Sequence, residues 1–377
     1  MTKLTVGIIF GGRSGEHEVS VRSAKSVIQK IDREKYEIIP IAITKDGKWL
    51  NPIDSAAMLP AEVHELIAVD LDKHSNEPIA LLADTAYSGL TKFSLSSDGP
   101  AGLQLDVAFP VLHGTYGEDG AIQGLFEMAN VPYIGCGVLA SSCGMDKVVM
   151  KKLFHDAGLP MCKYIWFLRS EFEADPNKII ARVKGELGLP AFIKPANLGS
   201  SVGISKAIDE NSLRTAIELA AEYDRKIIVE EALEMREIEC AVIGNDTPLA
   251  SLPGEYIIND ESKKFLDYTE KYAGTGNNEF VVPAPVSDDL SERIQQMAIK
   301  AFQAVDGSGL ARVDFFLRKD RGTLLINEIN TLPGLTDASG FPKMWAGSGM
   351  PFSEVIDKLV DYALARHQDK LRNKTQL

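Results

Sequence analysis

The sequence predicts an α/β protein that opens with a parallel-sheet domain and continues into strand-rich mixed units. Three observations carry that expectation. An apolar run, Leu4 to Phe10, ends at Gly11-Gly12 and feeds an amphipathic helical stretch, the pattern of an open α/β sheet with ligands at its strand ends. The stretch AFIKPANLGSSVGISKAI (191–208) reads as strand, glycine- and serine-rich turn, and returning strand. The stretch 309–336 holds two strand-like runs, ARVDFFL and TLLINEIN, around a charged turn from Arg318 to Gly322.

At 377 residues the chain is long enough for two or three domains. A net charge of -13 argues against general affinity for nucleic acid or an anionic membrane, while leaving room for a polyphosphate met by local lysines and a divalent cation. No apolar run approaches the roughly 20 residues that span a bilayer. The N-terminus lacks the apolar core and cleavage pattern of a secretory segment and reads as a first strand. Cys136, Cys143, Cys162 and Cys240 have no metal-ligand spacing, so buried thiols in a reducing cytosol are expected.

Along the N-terminal third, Ser14 reads as the helix cap. Glu16 and Glu18 lie where helix N-terminal N–H groups favour anions, and a carboxylate there suits an ammonium-bearing ligand, with capping as the competing role. The strict GxGxxG pattern is absent. Tyr36 to Ile43 is the second strand, 50–100 is a series of short runs and hairpins, and Leu105 to Leu112 is a buried strand. That strand delivers His113 among glycines, followed by Glu118, Asp119 and a helix from Ala121. Such a histidine either faces a site or makes local hydrogen bonds. Val131 to Ile134 is expected to be a strand, and Gly135 to Gly144 a boundary.

Met145 is expected to open a helix with Lys147 in its first turn, against the dipole preference, which points to an anionic partner or to plain exposure. Lys194 ends the AFIKP strand. The small residues that follow let backbone N–H groups approach phosphate while the lysine supplies charge, although this is no P-loop. Glu230 and Glu231 end the KIIVEEAL strand, where they would meet adenine and ribose donors at an interdomain cleft, with Glu237 nearby. In the 309–336 stretch, alternation places Arg312 and Asp314 on one face and Glu328 and Asn330 on one face. If the strands pair, three oxygen-bearing side chains suit Mg²⁺; a solvated hairpin face is the alternative. The polar connection 254–278 is long for a loop and reads as a lid.

Taken in order, GGRSGEHEVS, HGTYGEDGAIQG, the MDK helix start, IKPANLGSSVG, the EKY-containing loop and NEINTLPG resemble the D-alanine–D-alanine ligase family of ATP-grasp enzymes over nearly the whole chain. The resemblance implies a three-domain ATP-grasp fold, α/β at the N-terminus and α+β in the grasp: residues 1–142, 143–237 and 238–377, with the lid in the last. It implies ATP, two Mg²⁺ (or Mn²⁺) ions and two D-alanine molecules, a cytoplasmic role in peptidoglycan precursor synthesis, and a homodimer. By resemblance, Glu16 binds the first D-alanine ammonium with His113 nearby, and Ser200, coupled to a tyrosine, helps place that substrate. Lys147, Lys194 and Lys271 contact phosphate, and Glu230, Glu231 and Glu237 serve the adenine and ribose side. Asp314, Glu328 and Asn330 are metal ligands. Arg312 faces the second carboxylate and the transition state, the Gly334 N–H lies near the oxyanion, and Ser339 contacts the second substrate. Tyr272 goes with an amine acceptor, favouring D-alanine over D-lactate, while Leu266 departs from members that carry a tyrosine there. For the base that deprotonates the second amine, the phosphate and a Tyr272–Ser200–Glu16 relay both stay open.

Overall fold

The structure is a computed structural model that describes residues 3–67, 79–84, 89–92, 102–199, 202–258 and 278–374. The N-terminal sheet is parallel, with Leu4–Gly11 between Tyr36–Ile43 and Val107–Val111. Its central strand is buried from Gly7 to Phe10, as a strand covered on both faces requires. Gly11 and Gly12 turn the chain at φ +88° and +95°, and a Cβ on Gly11 would sit 2.3 Å from the Ile43 carbonyl oxygen. Only glycine makes that turn without strain. The helix His17–Lys30 then packs against the sheet. Ser20 on its buried face accepts from Gly11 N–H at 2.7 Å and donates to the Val111 carbonyl, joining two strand ends. Within 50–100, Ile79–Leu81, Gly89–Lys92 and Gly102–Gln104 form a small antiparallel sheet, in line with the hairpins expected there.

Two antiparallel sheets follow. The first has the order Tyr164–Leu168, Lys226–Glu231, Ala191–Pro195, Ser205–Ala207 and is backed by the helices Pro176–Glu186 and Glu210–Tyr223. The second runs Asn278–Val281, Gly254–Ile258, Met235–Gly244, Gly309–Arg318, Leu324–Asn330, with Leu249–Ala250 paired to Met235–Gly244. The helix Asp288–Ala304 covers its inner face. Gly340–Gly347 and Phe352–Lys370 pack on the other side, against the N-terminal sheet.

Several expectations change. Ser14 does not cap the first helix; Glu16 occupies the N-cap position without a side-chain capping bond, and Ser14 ties the loop to the His113 carbonyl. Val131 to Ile134 provides one isolated bridge, Tyr133 to Ala108, and not a strand, because Pro132 has no N–H for a ladder. Gly135 to Gly144 is not a plain boundary: Val138–Met145 is a helix, and a second helix, Lys147–Asp156, starts at Asp146, whose carboxylate caps Val148 and Val149 N–H. The lid stretch 254–278 has strands at both ends, Gly254–Ile258 and Asn278–Val281, paired antiparallel. The rest of it, 259–277, lies outside the described residues.

Candidate active site

A cleft of about 960 Å³ opens between the two antiparallel sheets. The first sheet contributes Lys194, Glu230 and Glu231, the second Glu237, Asp314, Glu328 and Asn330, and the helix start at Asp146 contributes Lys147. The hairpin forms with Arg312 opposite Asn330 and Asp314 opposite Glu328. Directly opposed side chains on one face stand about 5 Å apart at Cβ, so the four polar groups converge. Arg312 grips Asp314 through two parallel hydrogen bonds, Nε to Oδ1 and Nη2 to Oδ2, both 2.7 Å. Asn330 Nδ2 donates to Asp314 Oδ2 at 3.0 Å, and Arg312 Nε lies 3.5 Å from Glu239 Oε2. Among the described residues no three His, Cys, Asp or Glu groups enclose a metal position. Two carboxylates and an amide on one open face still fit Mg²⁺, which takes few protein ligands and completes its octahedron with phosphate oxygens and water.

Lys147 extends from the helix start, donating to the Leu198 carbonyl at 2.8 Å and lying 3.8 Å from Glu328 Oε2. It thus links the glycine-rich turn to the acidic hairpin. Lys194 pairs with Glu230 Oε2 at 2.6 Å, and the buried Lys151 pairs with Glu230 Oε1 at 2.8 Å. Both Glu230 oxygens thus face lysine ammonium groups in a buried position on the cleft wall. Burial opposes the Glu230 charge, but the two ammonium groups prevail and hold its pKa far below the carboxylate range. The pKa of each lysine is raised, burial opposing and Glu230 prevailing. Glu231 accepts from Lys163 N–H at 2.7 Å and keeps a place on the cleft wall beside Glu237.

At the other end of the cleft, Gly114 and Gly199 bring two loops onto Glu16. A Cβ would come within 2.6 Å of Glu16 Oε2 at Gly114 and within 3.3 Å at Gly199. His113 is buried. Its Nε2 lies 2.9 Å from Ser23 Oγ and its Nδ1 lies 3.1 Å from the Leu332 carbonyl oxygen. Burial disfavours imidazolium, but Glu118 and Glu16 outweigh it and raise the His113 pKa. Burial pushes Glu118 up to about 6, with the neighbouring His113 opposing the rise. Ser339 begins the helix Gly340–Gly347, and its hydroxyl contacts Thr336 Oγ1 at 2.8 Å and accepts from Thr336 N–H at 3.1 Å. Gly334 is buried in the turn between the hairpin and that helix. Ser200, Lys271 and Tyr272 lie outside the described residues.

Sequence reading missed Ser23, Lys151 and Glu239. Lys151 follows Lys147 by one helical turn, a spacing that places both on one face. Ser20 and Ser23 interrupt the apolar stripe of the first helix, which is the signal for buried hydroxyls with partners.

Two family models match the chain, described as D-ala D-ala ligase N-terminus over residues 5–136 and D-ala D-ala ligase C-terminus over residues 153–361. A D-alanine–D-alanine ligase of Heliobacterium modesticaldum is 46% identical over 376 residues, covering 100% of this chain and 99% of its own. That of Geobacillus thermodenitrificans is 47% identical over 370 residues, 98% of this chain and 97% of its own. Among solved structures, the D-alanine-D-alanine ligase of Coxiella burnetii superposes with a TM-score of 0.79 at 33% identity, covering 98% of each chain. The D-Ala:D-Ser ligase VanG of Enterococcus faecalis superposes with a TM-score of 0.80 at 35% identity, covering 96% of this chain and 100% of its own.

Proposed function

The chain belongs to the D-alanine–D-alanine ligase family, within the ATP-grasp superfamily, and on that premise we propose how its residues perform the reaction. The enzyme joins two D-alanine molecules at the expense of ATP, as part of peptidoglycan synthesis. A carboxylate does not condense with an amine at neutral pH, so the first D-alanine is activated as an acyl phosphate. The amine of the second then attacks the acyl carbon, and phosphate leaves.

Phosphoryl transfer rests on alignment and charge placement. Lys147 and Lys194, with Lys271, hold the phosphates. Glu230, Glu231 and Glu237 line the nucleoside side, with Glu230 also holding Lys194. Asp314, Glu328 and Asn330 are the residues that would hold two Mg²⁺ ions, which supply neutralisation of phosphoryl oxygen charge when bound. Glu16 holds the first ammonium, His113 and Ser200 order the groups around it, and Tyr272 selects an amine acceptor. Arg312 and the Gly334 N–H stabilise the tetrahedral oxyanion, and Ser339 meets the second substrate. The three units are 1–142, 143–237 and 238–377, the first boundary falling inside the helix Val138–Met145 and the second inside the strand Met235–Gly244. No described helix is long and apolar enough to cross a membrane. A cytoplasmic homodimer is the reading we adopt from family resemblance.

The observation that carries this assignment is the convergence of Lys147, Lys194, Asp314, Glu328 and Asn330 on one cleft between two antiparallel sheets. Phosphate release should be measured with D-alanine alone and with D-alanine beside D-serine, D-lactate or L-alanine. We expect full turnover with D-alanine alone and none with L-alanine alone. Turnover that requires D-serine or D-lactate would reassign the second substrate, and absence of any D-alanine-dependent turnover would refute the ligase reading.

A further inference from the structure

Ser23 is fully buried on the helix His17–Lys30, yet its hydroxyl reaches out of the N-terminal unit. It lies 2.9 Å from His113 Nε2 and accepts a hydrogen bond from Leu335 N–H at 3.3 Å. His113 Nδ1 lies 3.1 Å from the Leu332 carbonyl oxygen. Glu118 Oε1 stands 3.8 Å from the same nitrogen, beyond hydrogen-bond range, so the Leu332 carbonyl is the nearer acceptor. The geometry joins these groups in either protonation state: Nδ1–H donates to Leu332, Nε2 accepts from the Ser23 hydroxyl when the imidazole is neutral and donates to it when protonated, and Ser23 Oγ accepts from Leu335 N–H. The two anchor points bracket Pro333-Gly334. By contrast Ser20, one turn earlier, bonds only to Gly11 and Val111 within its own sheet.

We propose that Ser23 is a positioning residue for the ligation step: with His113 it clamps Leu332 and Leu335, and so aims the intervening Gly334 N–H at the oxyanion. The inference rests on the ligase reading above and on the place of Gly334 in it. Gly334 belongs to the C-terminal unit, while both clamping side chains belong to the N-terminal unit that holds the first D-alanine. The clamp therefore registers the oxyanion donor against the acyl group it must meet. A peptide N–H is oriented by the planes on either side of it, and displacing such a donor costs the tetrahedral intermediate much more than the planar ground state.

The test compares full-length wild type with Ser23→Ala. It reads kcat, the KM values for ATP and D-alanine, the affinity of a tetrahedral phosphinate analogue of the dipeptide, and the thermal midpoint. We expect kcat to fall about ten- to a hundredfold, with KM for ATP changed less than about twofold. Phosphinate affinity should weaken in the same proportion as kcat, and affinity for the planar dipeptide product by less than about threefold, because only the tetrahedral species uses the donor. A kcat within about twofold of wild type, or unchanged phosphinate affinity, would overturn the clamp. If Ser23→Ala does not fold, Ser23→Cys, a weaker donor of similar size, carries the same test: joint loss of kcat and phosphinate affinity supports the clamp, and retention of either overturns it. A wild-type enzyme inactive with D-alanine would refute the ligase reading itself; an active wild type with an indifferent variant sinks the clamp alone.

Discussion

Lys151 carries a full charge where almost no water reaches it, at 1% exposure. Such a charge persists only when paired, and its partner Glu230 is shared with Lys194. One carboxylate between two lysines leaves the trio with a net positive charge, which suits a site that must accept polyphosphate. Lys151→Met should leave Glu230 paired with Lys194 alone, so it removes one charged contact without stranding a buried charge, at a cost of about 1.5–3 kcal/mol. The sign of its pH dependence follows from the two shifts. The Glu230 pKa is lowered, so the carboxylate contribution is complete above the unfolded value near 4.3 and is lost as pH falls towards the folded value. The Lys151 pKa is raised, so its contribution is complete below about 10.4 and is lost as pH rises through the folded value. Urea unfolding of wild type and variant should therefore show a constant stability gap from about pH 5 to 9 that narrows below about pH 4. A gap of less than about 1 kcal/mol at pH 7 would mean that the trio is not a structural unit.

At the scale of one element, the hairpin depends on a β-bulge. Pairing runs Arg312 to Asn330 and Asp314 to Glu328, then skips Asn327 so that Phe315 opposes Ile326. Leu324, Ile326 and Ile329 belong to the same core cluster as Val313 and Phe315. With unbroken alternation Glu328 and Asn330 would share the face of Leu324 and Ile326, inside that core. The extra residue reverses the phase and turns both side chains to the cleft. Deleting Asn327 should thus abolish ligase activity and destabilise the sheet, whereas Asn327→Ala, which preserves the residue count, should keep most of the activity and the thermal midpoint. Equal activity in both variants would show that the bulge is dispensable. Alternation alone made the polar face legible from residues 328 and 330, but the bulge was not legible, because a single polar residue such as Asn327 does not say which residue of the strand is left unpaired. The parallel N-terminal sheet was legible for a stronger reason: its strands are continuous apolar runs, and Gly11-Gly12 can only be a turn. The pairing of Glu230 with Lys151 was not legible, because the two lie 79 residues apart and only the fold brings the helix Lys147–Asp156 against the strand Lys226–Glu231.

The whole molecule divides differently from its chain order. One hydrophobic cluster joins the N-terminal sheet, through Ile8, Phe10 and Phe109, to Leu310, Trp345, Phe352 and Leu359 of the C-terminal unit. Arg366 reinforces this join, donating to the Tyr133 carbonyl at 2.9 Å and standing over the Tyr133 ring, while Lys35 reaches Asp357 at 2.6 Å. The central unit has its own core of Ile165, Phe167, Ile180, Ile193, Leu213 and Ile227. The helix Lys147–Asp156 meets the sheet of this unit through a small cluster of Val148, Ala196 and Ile228, supported by the Lys226–Asp146 ion pair. The first and last units should therefore unfold as one block and the central unit as another, since cooperative units follow shared cores. Native-state hydrogen exchange should show Tyr164–Leu168, Ala191–Pro195 and Lys226–Glu231 opening together, at lower free energy than Leu4–Gly11 and Gly309–Arg318. A non-hydrolysable ATP analogue with Mg²⁺ at about one hundred times its Kd should raise the opening energy of the central strands by about 2.7 kcal/mol, roughly a hundredfold slower exchange. In the proposed site the nucleotide would bridge the central sheet and the hairpin and leave the join between first and last units untouched, so Leu4–Gly11 should slow much less. A single opening rate shared by the central and N-terminal sheets would contradict the division, and ligand protection confined to the hairpin would place the nucleotide off the central sheet.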